Sequence, residues 1–303
     1  MSSICDVPGI KVGHFHLQEA RTGCTVILPD REVVAGVDVR GSAPGTRELE
    51  LLRPVRLVQK VHAILLAGGS AFGLDAAGGV QQFLEEHHRG FDVGVAKVPI
   101  VPAAVIFDLA VGRADVRPDK QMGYQACENA RADCETEGPI GVGCGATVGK
   151  LLGMDRCSTG GVGTCSVQLP RGIVIGALTV VNAFGEIVDE RGDIIAGVQS
   201  ETGVGFEPSL DLLRQSSAPL TFHSNTTLVV VATNAKLDRQ TATKVAQMAQ
   251  DGLAQSIRPA HTMLDGDIVF VISTGEADAD VNVVGAFACQ MVAHSVRRSV
   301  QHL

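Results

Sequence analysis

The chain has 303 residues, 45% of them hydrophobic and 19% charged, and carries a net charge of −8. Those figures exclude a disordered tail and suit one large domain or two small ones around a substantial core. The acidic balance excludes the basic face that a nucleic-acid partner needs, and no run of 18 apolar residues is present to span a membrane.

Glycine is abundant at 35 residues, while aromatics are scarce: no Trp, one Tyr (Tyr124) and ten Phe. The core is therefore built from Val, Ala, Leu and Ile, with many tight turns. The opening Met1-Ser2-Ser3-Ile4-Cys5-Asp6 has no basic stretch leading into an apolar one, so no export signal is read there. Eight scattered cysteines without CxxC pairs are then expected to be reduced thiols, and the cytoplasm is the expected compartment.

In chain order, residues 10–12, 24–28 and 33–39 read as strands, punctuated by Gly13, Gly23, Pro29 and Gly36. A polar loop over 40–48 follows, then a strand over 61–66 that ends in Ala67-Gly68-Gly69-Ser70. Residues 72–88 place Leu74, Ala77, Val80 and Leu84 at helical spacing, with Ser70 as the cap. Strand, glycines and helix suggest a phosphate cradle. The spacing fits neither nucleotide fingerprint, so tight helix–strand packing is the expected role.

Residues 98–108, broken by Pro99 and Pro102, read as a loop feeding a short strand, and a helix is expected near 124–131. The stretch from Gly141 to Lys150 resembles a P-loop only superficially. Its required first Gly falls on Cys144, and Leu151 stands where the magnesium-binding hydroxyl belongs, so nucleotide binding is rejected. A glycine-rich wall beside a cleft, with Lys150 at its edge, stays open. Residues 160–163 read as a turn and 173–182 as a buried strand closed by Asn182, a residue equally suited to a turn. Residues 190–224 are the least patterned and read as an exposed linker.

Asn225-Thr226-Thr227 then leads into a β-branched run, a buried strand with Thr226 at its first position. Asp238 caps a helix to about 257 whose apolar face is Ala242, Val245, Met248, Ala249 and Leu253. Asp265-Gly266-Asp267 turns into a strand over 268–273, and a last helix over 281–300 carries Val284, Phe287, Ala288 and Met291. With no repeat and no clear break, the chain reads as a single α/β layered domain.

A Thr hydroxyl needs a base to become a nucleophile, and a free α-amine on the same residue can serve, with a reference pKa of about 7.7–8.0. Inside an intact chain that nitrogen is an amide, so the chain must first be cut between Asn225 and Thr226. The Thr226 hydroxyl can do this itself by attacking the Asn225 carbonyl to give an ester that water hydrolyses. Asn182 and Lys150 are candidate donors to the oxyanion, and Asp265 with Asp267 are candidates to hold the amine. An ordinary Asp-Gly-Asp turn is the competing reading of that pair. No HExxH pairing or EF-hand frame points to a metal, and no cofactor is implied.

Blocks spread along nearly the whole chain carry a family resemblance. They are Asp6-Val7-Pro8-Gly9-Ile10-Lys11-Val12-Gly13-His14, Asp38-Val39-Arg40-Gly41 with Pro44-Gly45-Thr46, and Leu66-Ala67-Gly68-Gly69-Ser70-Ala71-Phe72-Gly73-Leu74. Gly176-Ala177-Leu178-Thr179-Val180-Val181-Asn182, Asn225-Thr226-Thr227 with Val230-Val231-Ala232-Thr233-Asn234-Ala235, and Asp265-Gly266-Asp267 complete them. In that order they resemble the DmpA-type self-processing hydrolases: L-aminopeptidase/D-esterases, β-peptidyl aminopeptidases and nylon-oligomer hydrolases.

The resemblance implies a four-layer αββα sandwich over residues 1–303, cut into chains 1–225 and 226–303, and a homo-oligomer, a tetramer in many members. It implies Thr226 as nucleophile, Asn225 before the cut, Asp265 and Asp267 beside the nucleophile, Asn182 in the oxyanion hole and, more loosely, Lys150 as an active-site lysine. Where several members place a Tyr, this chain has Phe107 followed by Asp108, and a Phe ring cannot donate a hydrogen bond; the substrate pocket is expected to differ there. The implied substrates are small peptides, amino-acid amides or amide oligomers. An acyltransferase on the same architecture, or a binding protein without activity, are the alternatives.

Overall fold

The computed structural model describes residues 2–134, 137–215 and 225–301. Two sheets carry the architecture. The first has five strands: β1 (Ile10–Leu17), β2 (Thr22–Pro29), β4 (Thr46–Arg47), β6 (Ile64–Ala67) and β7 (Ala103–Val105), in the order β1-β2-β6-β7-β4. The second has six: β3 (Val33–Val39), β5 (Lys60–Val61), β8 (Gly161–Gln168), β9 (Val174–Asn182), β10 (Thr226–Ala235) and β11 (Ile268–Ala277), in the order β8-β9-β10-β11-β3-β5. In the six-stranded sheet β10 runs parallel to β11, and β9 runs antiparallel to β10.

Both sheets are buried on both faces, which is why their strands read as nearly continuous apolar runs. The pleat divides each run between two cores. Leu228 and Val230 of β10, and Ile268, Phe270 and Ile272 of β11, meet Ile27, Ile64 and Leu66 of the other sheet. The intervening Val229, Val231, Val269 and Val271 instead meet the helices α4 (Arg239–Ser256) and α5 (Val281–Arg298) through Val245, Leu253, Val284 and Val292. On the far side, Val26, Leu65 and Ala67 pack against α1 (Ala76–Glu86) and α2 (Lys120–Glu128) through Ala77, Val80, Leu84 and Met122. The layers are helix, sheet, sheet, helix, the αββα order that the resemblance implies.

Several local expectations hold. Asp238 caps α4, accepting from the Thr241 N–H while the Thr241 side chain serves the Asp238 main chain. Others need correction. The strand expected over 61–66 is two strands in different sheets, because the chain crosses between β5 and β6 at His62-Ala63. Ser70 is no side-chain cap: it opens a 3-10 turn, Ser70–Asp75, that precedes α1. The helix near 124–131 lies earlier, at Lys120–Glu128, where Asp119 accepts from the Met122 N–H. Residues 161–163 belong to β8, since glycines there let the strand pack where no side chain would fit.

Residues 190–215 are more ordered than a linker, with strands at Ile194–Ala196, Val198–Gln199 and Phe206–Glu207 and a short α3 (Ser209–Gln215); residues 216–224 of that expectation lie outside the described residues. The cysteines are not all reduced. Cys5 and Cys134, 129 residues apart, form a disulfide, because residue 131 pairs in a bridge with Val12 of β1 and brings its neighbours to the amino terminus. No helix among the described residues is long and apolar enough to cross a membrane.

Phe270 is fully buried in the layer between the sheets. Phe270→Ala should lower stability by about 3–5 kcal/mol, read as an earlier denaturant midpoint at unchanged slope.

Candidate active site

Strand register brings the sequence candidates together. Asn182, the last residue of β9, pairs directly with Thr226, the first of β10. On the other side of β10, Asn225 bridges to Asp265, and Leu228 pairs with Ile268 of β11. One end of the sheet therefore gathers Asn182, Asn225, Thr226, Asp265 and Asp267 at or just before the ends of three adjacent strands. All five residues are buried.

The Asn225–Thr226 peptide is held from several directions. The Asn225 N–H donates to the Leu264 carbonyl at 2.9 Å, and the Asn225 carbonyl accepts from the Gly266 N–H at 2.8 Å. The Thr226 hydroxyl donates to that same carbonyl at 2.5 Å. Gly266 must be glycine for this approach, since a Cβ there would lie 2.8 Å from Thr226 Oγ1 and 2.7 Å from the Ala43 carbonyl. Gly41 backs the turn from outside, where a Cβ would come within 2.1 Å of the Asp267 nitrogen. Arg40 and Gly41 both donate N–H groups to the Asp267 carbonyl, and Ala43 donates to that of Asp265. The Arg40-Gly41 block of the sequence is thus the outer clamp on the Asp-Gly-Asp turn.

The two carboxylates have different partners. Asp265 Oδ2 accepts from the Thr262 N–H at 3.0 Å and the Thr262 hydroxyl at 2.5 Å, and Oδ1 accepts from the Phe184 N–H at 3.3 Å. Asp267 Oδ1 accepts from the Thr227 N–H at 2.7 Å, while Oδ2 faces the His261 N–H at 3.1 Å and Nδ1 at 2.9 Å. Burial, and next the neighbouring Asp267 charge, push the Asp265 carboxyl up to about 6 despite its donors.

Lys150 is buried, not at the edge of a wall. Its ammonium donates to Asn182 Oδ1 at 2.7 Å and to the Asn182 carbonyl at 3.0 Å. Burial pushes its pKa down to about 7, against the opposing fields of Cys157, Asp265 and Asp108. The Thr147 N–H also donates to Asn182 Oδ1, at 3.0 Å. Two donors on one atom identify it as the oxygen and leave Nδ2 as the donor end. Nδ2 gives one hydrogen to the Phe107 carbonyl at 3.1 Å, and its second hydrogen is the one an oxyanion could use.

Phe107 therefore serves this network through its main chain, whatever its ring contacts. The Asp108 carboxylate accepts from the Thr22 hydroxyl and the Gly69 N–H, both at 2.7 Å, and burial raises its pKa. Gly69 of the suspected phosphate cradle thus has its N–H committed to a side chain of the protein. Thr147, His261, Thr262 and Gly266 were not singled out as functional from sequence. Thr262 could have been, because a hydroxyl three residues before Asp265 is a local capping pattern; His261 carries no such signal.

These shifts make stability depend on pH in two opposed windows. Asp265 holds its proton more tightly folded than unfolded, so its contribution is lost as pH rises from 3.8 through about 6. Lys150 holds its proton less tightly folded, so stability rises from about 7 towards 10.5. Because burial also holds His14 down to about 4 and gives the opposite slope over the Asp265 window, each limb is read as a difference: unfolding free energy of wild type minus Asp265→Asn should fall between pH 4 and 6, and wild type minus Lys150→Met should rise above pH 7.

The sequence profile of peptidase family S58 matches residues 2–302. An aminopeptidase of Mycobacterium tuberculosis, named as uncharacterized, is 46% identical over 290 residues, covering 91% of this chain and 82% of that protein. The 6-aminohexanoate-oligomer endohydrolase of Paenarthrobacter ureafaciens is 33% identical over 279 residues, covering 90% of this chain and 75% of that protein. Among solved structures, the L-aminopeptidase D-Ala-esterase/amidase of Ochrobactrum anthropi, a variant of the Ntn-hydrolase fold, superposes with a TM-score of 0.73 at 18% identity, covering 98% of this chain and 85% of that one. A Burkholderia sp. β-aminopeptidase superposes with a TM-score of 0.71 at 22% identity, covering 98% and 86%, and these two show likeness of fold. By the span of the profile match and the identity to its relatives, the chain belongs to peptidase family S58.

Proposed function

We propose that the chain cuts itself between Asn225 and Thr226, then hydrolyses amide bonds of small substrates through an acyl-Thr226 intermediate. Membership of a peptidase family supports peptidase or amidase activity in general. The observation that carries the finer reading is the contact of the Thr226 hydroxyl with the Asn225 carbonyl, at 2.5 Å, opposite a Gly266 N–H at 2.8 Å. Nucleophile and oxyanion donor stand on the same peptide group, as a self-cleavage needs.

In the first reaction, Thr226 Oγ1 attacks the Asn225 carbonyl carbon and the C–N bond breaks. The product is an Asn225 ester with a free Thr226 α-amine. Water then hydrolyses the ester, leaving chains 1–225 and 226–303. In the second, the new amine takes the hydroxyl proton as Thr226 attacks the substrate carbonyl, with Asn182 Nδ2 donating to the oxyanion. The protonated amine gives that proton to the leaving amine as the C–N bond breaks, and water then hydrolyses the acyl-Thr226 ester, releasing the acid and restoring the hydroxyl. Holding the amine falls in this reading to Asp265, whose main chain bridges to Asn225, and Asp267, which accepts from the adjacent Thr227 N–H. Lys150 acts through Asn182, turning the amide so that Nδ2 is the end presented. The names of the relatives favour small peptides, amino-acid amides or amide oligomers as substrates. We also infer a homo-oligomer, a tetramer, which light scattering would test.

Intact mass and amino-terminal sequencing should find a fragment beginning at Thr226, and Thr226→Ala should leave the chain whole; cleavage of that variant at the same bond would remove Thr226 as nucleophile. Gly266→Ala should slow self-cleavage by about 10²-fold, the scale of a 1 Å misplacement. Asn182→Ala, assayed on processed enzyme, should lower kcat by about 10²–10³-fold with a smaller change in KM, the signature of a lost oxyanion donor.

A further inference from the structure

Asp267 is the carboxylate that ties the start of β10 to the loop before β11, through the Thr227 N–H at 2.7 Å. Among the described residues, its other oxygen has a single residue as partner. His261 supplies both its main-chain N–H, at 3.1 Å, and ring Nδ1, at 2.9 Å, to Asp267 Oδ2. This double approach depends on backbone shape: His261 sits at φ +58°, in the left-handed region that side-chain-bearing residues seldom occupy. Such conformations cost energy, and they concentrate where a side chain must be aimed.

The ring is oriented as well as placed. Facing a carboxylate oxygen, Nδ1 must carry its proton to donate. Nε2, at the other end, is buried and makes no hydrogen bond to a described residue. The neighbouring Thr262 gives both its N–H and its hydroxyl to Asp265 Oδ2, so consecutive residues each grip one member of the acidic pair with two donors.

We propose that His261 is a positioning residue: its ring and main-chain donors fix the Asp267 carboxylate, and through Asp267 and the Thr227 N–H they fix the attitude of Thr226. The proposal rests on the reading of Thr226 as the nucleophile, and deepens it. It concerns geometry, since the hydrogen bonds of His261 go to Asp267. Loss of a partner that orients an active group typically costs about 10–100-fold in function.

The test uses His261→Ala and His261→Asn. Asn tolerates the left-handed backbone, and its side-chain amide can replace the Nδ1–H donor. In a cell-free pulse-chase followed by mass spectrometry, His261→Ala should slow release of the Thr226 fragment by about 10–100-fold, and His261→Asn should recover most of that rate. Release from His261→Ala at the wild-type rate overturns the proposal; so does an Asn variant as slow as the Ala variant. A second measurement is independent of cleavage. In the uncut Thr226→Ala chain labelled with 15N-histidine, His261 should be protonated at Nδ1, and adding Asp267→Asn should change its ring 15N shifts. An Nδ1 without a proton overturns the proposal. A wild-type chain that stays whole removes the self-cleavage reading alone, and the 15N result then decides whether His261 holds Asp267.

Discussion

Backbone register at one end of the six-stranded sheet is the constraint on which the site depends. Asn182 faces Thr226 across an antiparallel pair, and Asn225 bridges to Asp265 across a parallel one. These contacts are ladder hydrogen bonds, repeated along strands that are buried on both faces. A slip of one residue would turn every side chain of β10 to the opposite core, so the packing of Leu228 and Val230 against one layer and Val229 and Val231 against another locks the register. The position of Thr226 is therefore set by hydrophobic packing far along the strand.

That placement carries an electrostatic cost. Two carboxylates one residue apart and a lysine are all nearly inaccessible to solvent. Burial of charge is tolerable only where donors and acceptors replace water. Here Thr262, Phe184, Thr227 and His261 supply the carboxylates, and Asn182 receives the lysine. The remaining cost appears as displaced pKa values, upward for Asp265 and downward for Lys150, so both groups approach the neutral range.

The segments that shape the site come from distant parts of the chain. The 40–43 loop clamps the Asp265–Asp267 turn, the glycine-rich 141–150 stretch delivers Lys150, and the Phe107 carbonyl orients Asn182. Segments far apart in sequence meet here. Gly41 is required because the turn leaves no room for a Cβ, and Gly266 because Thr226 Oγ1 lies against it. Phe107, whose ring cannot supply a tyrosine's donor, contributes its main-chain carbonyl instead, which any residue could offer.

By itself the sequence determined the layered character of the fold and the main strands and helices. β-branched runs such as 226–233 and the helical spacing after Asp238 are local signals, set by propensity, period and capping. Through the blocks that resemble a known family, it also named Thr226, Asn182, Lys150, Asp265 and Asp267 as candidates, where spacing alone left Asn182 and the Asp-Gly-Asp pair equally readable as turns. Tertiary structure alone decided who touches whom. The crossing of residues 61–66 between sheets, the Cys5–Cys134 bond across 129 residues and the burial of Lys150 all depend on contacts between distant segments. His261 shows the limit most clearly. Nothing in its neighbours' spacing marks it, because its role comes from a left-handed backbone turn and from a carboxylate that only the folded loop brings within 2.9 Å.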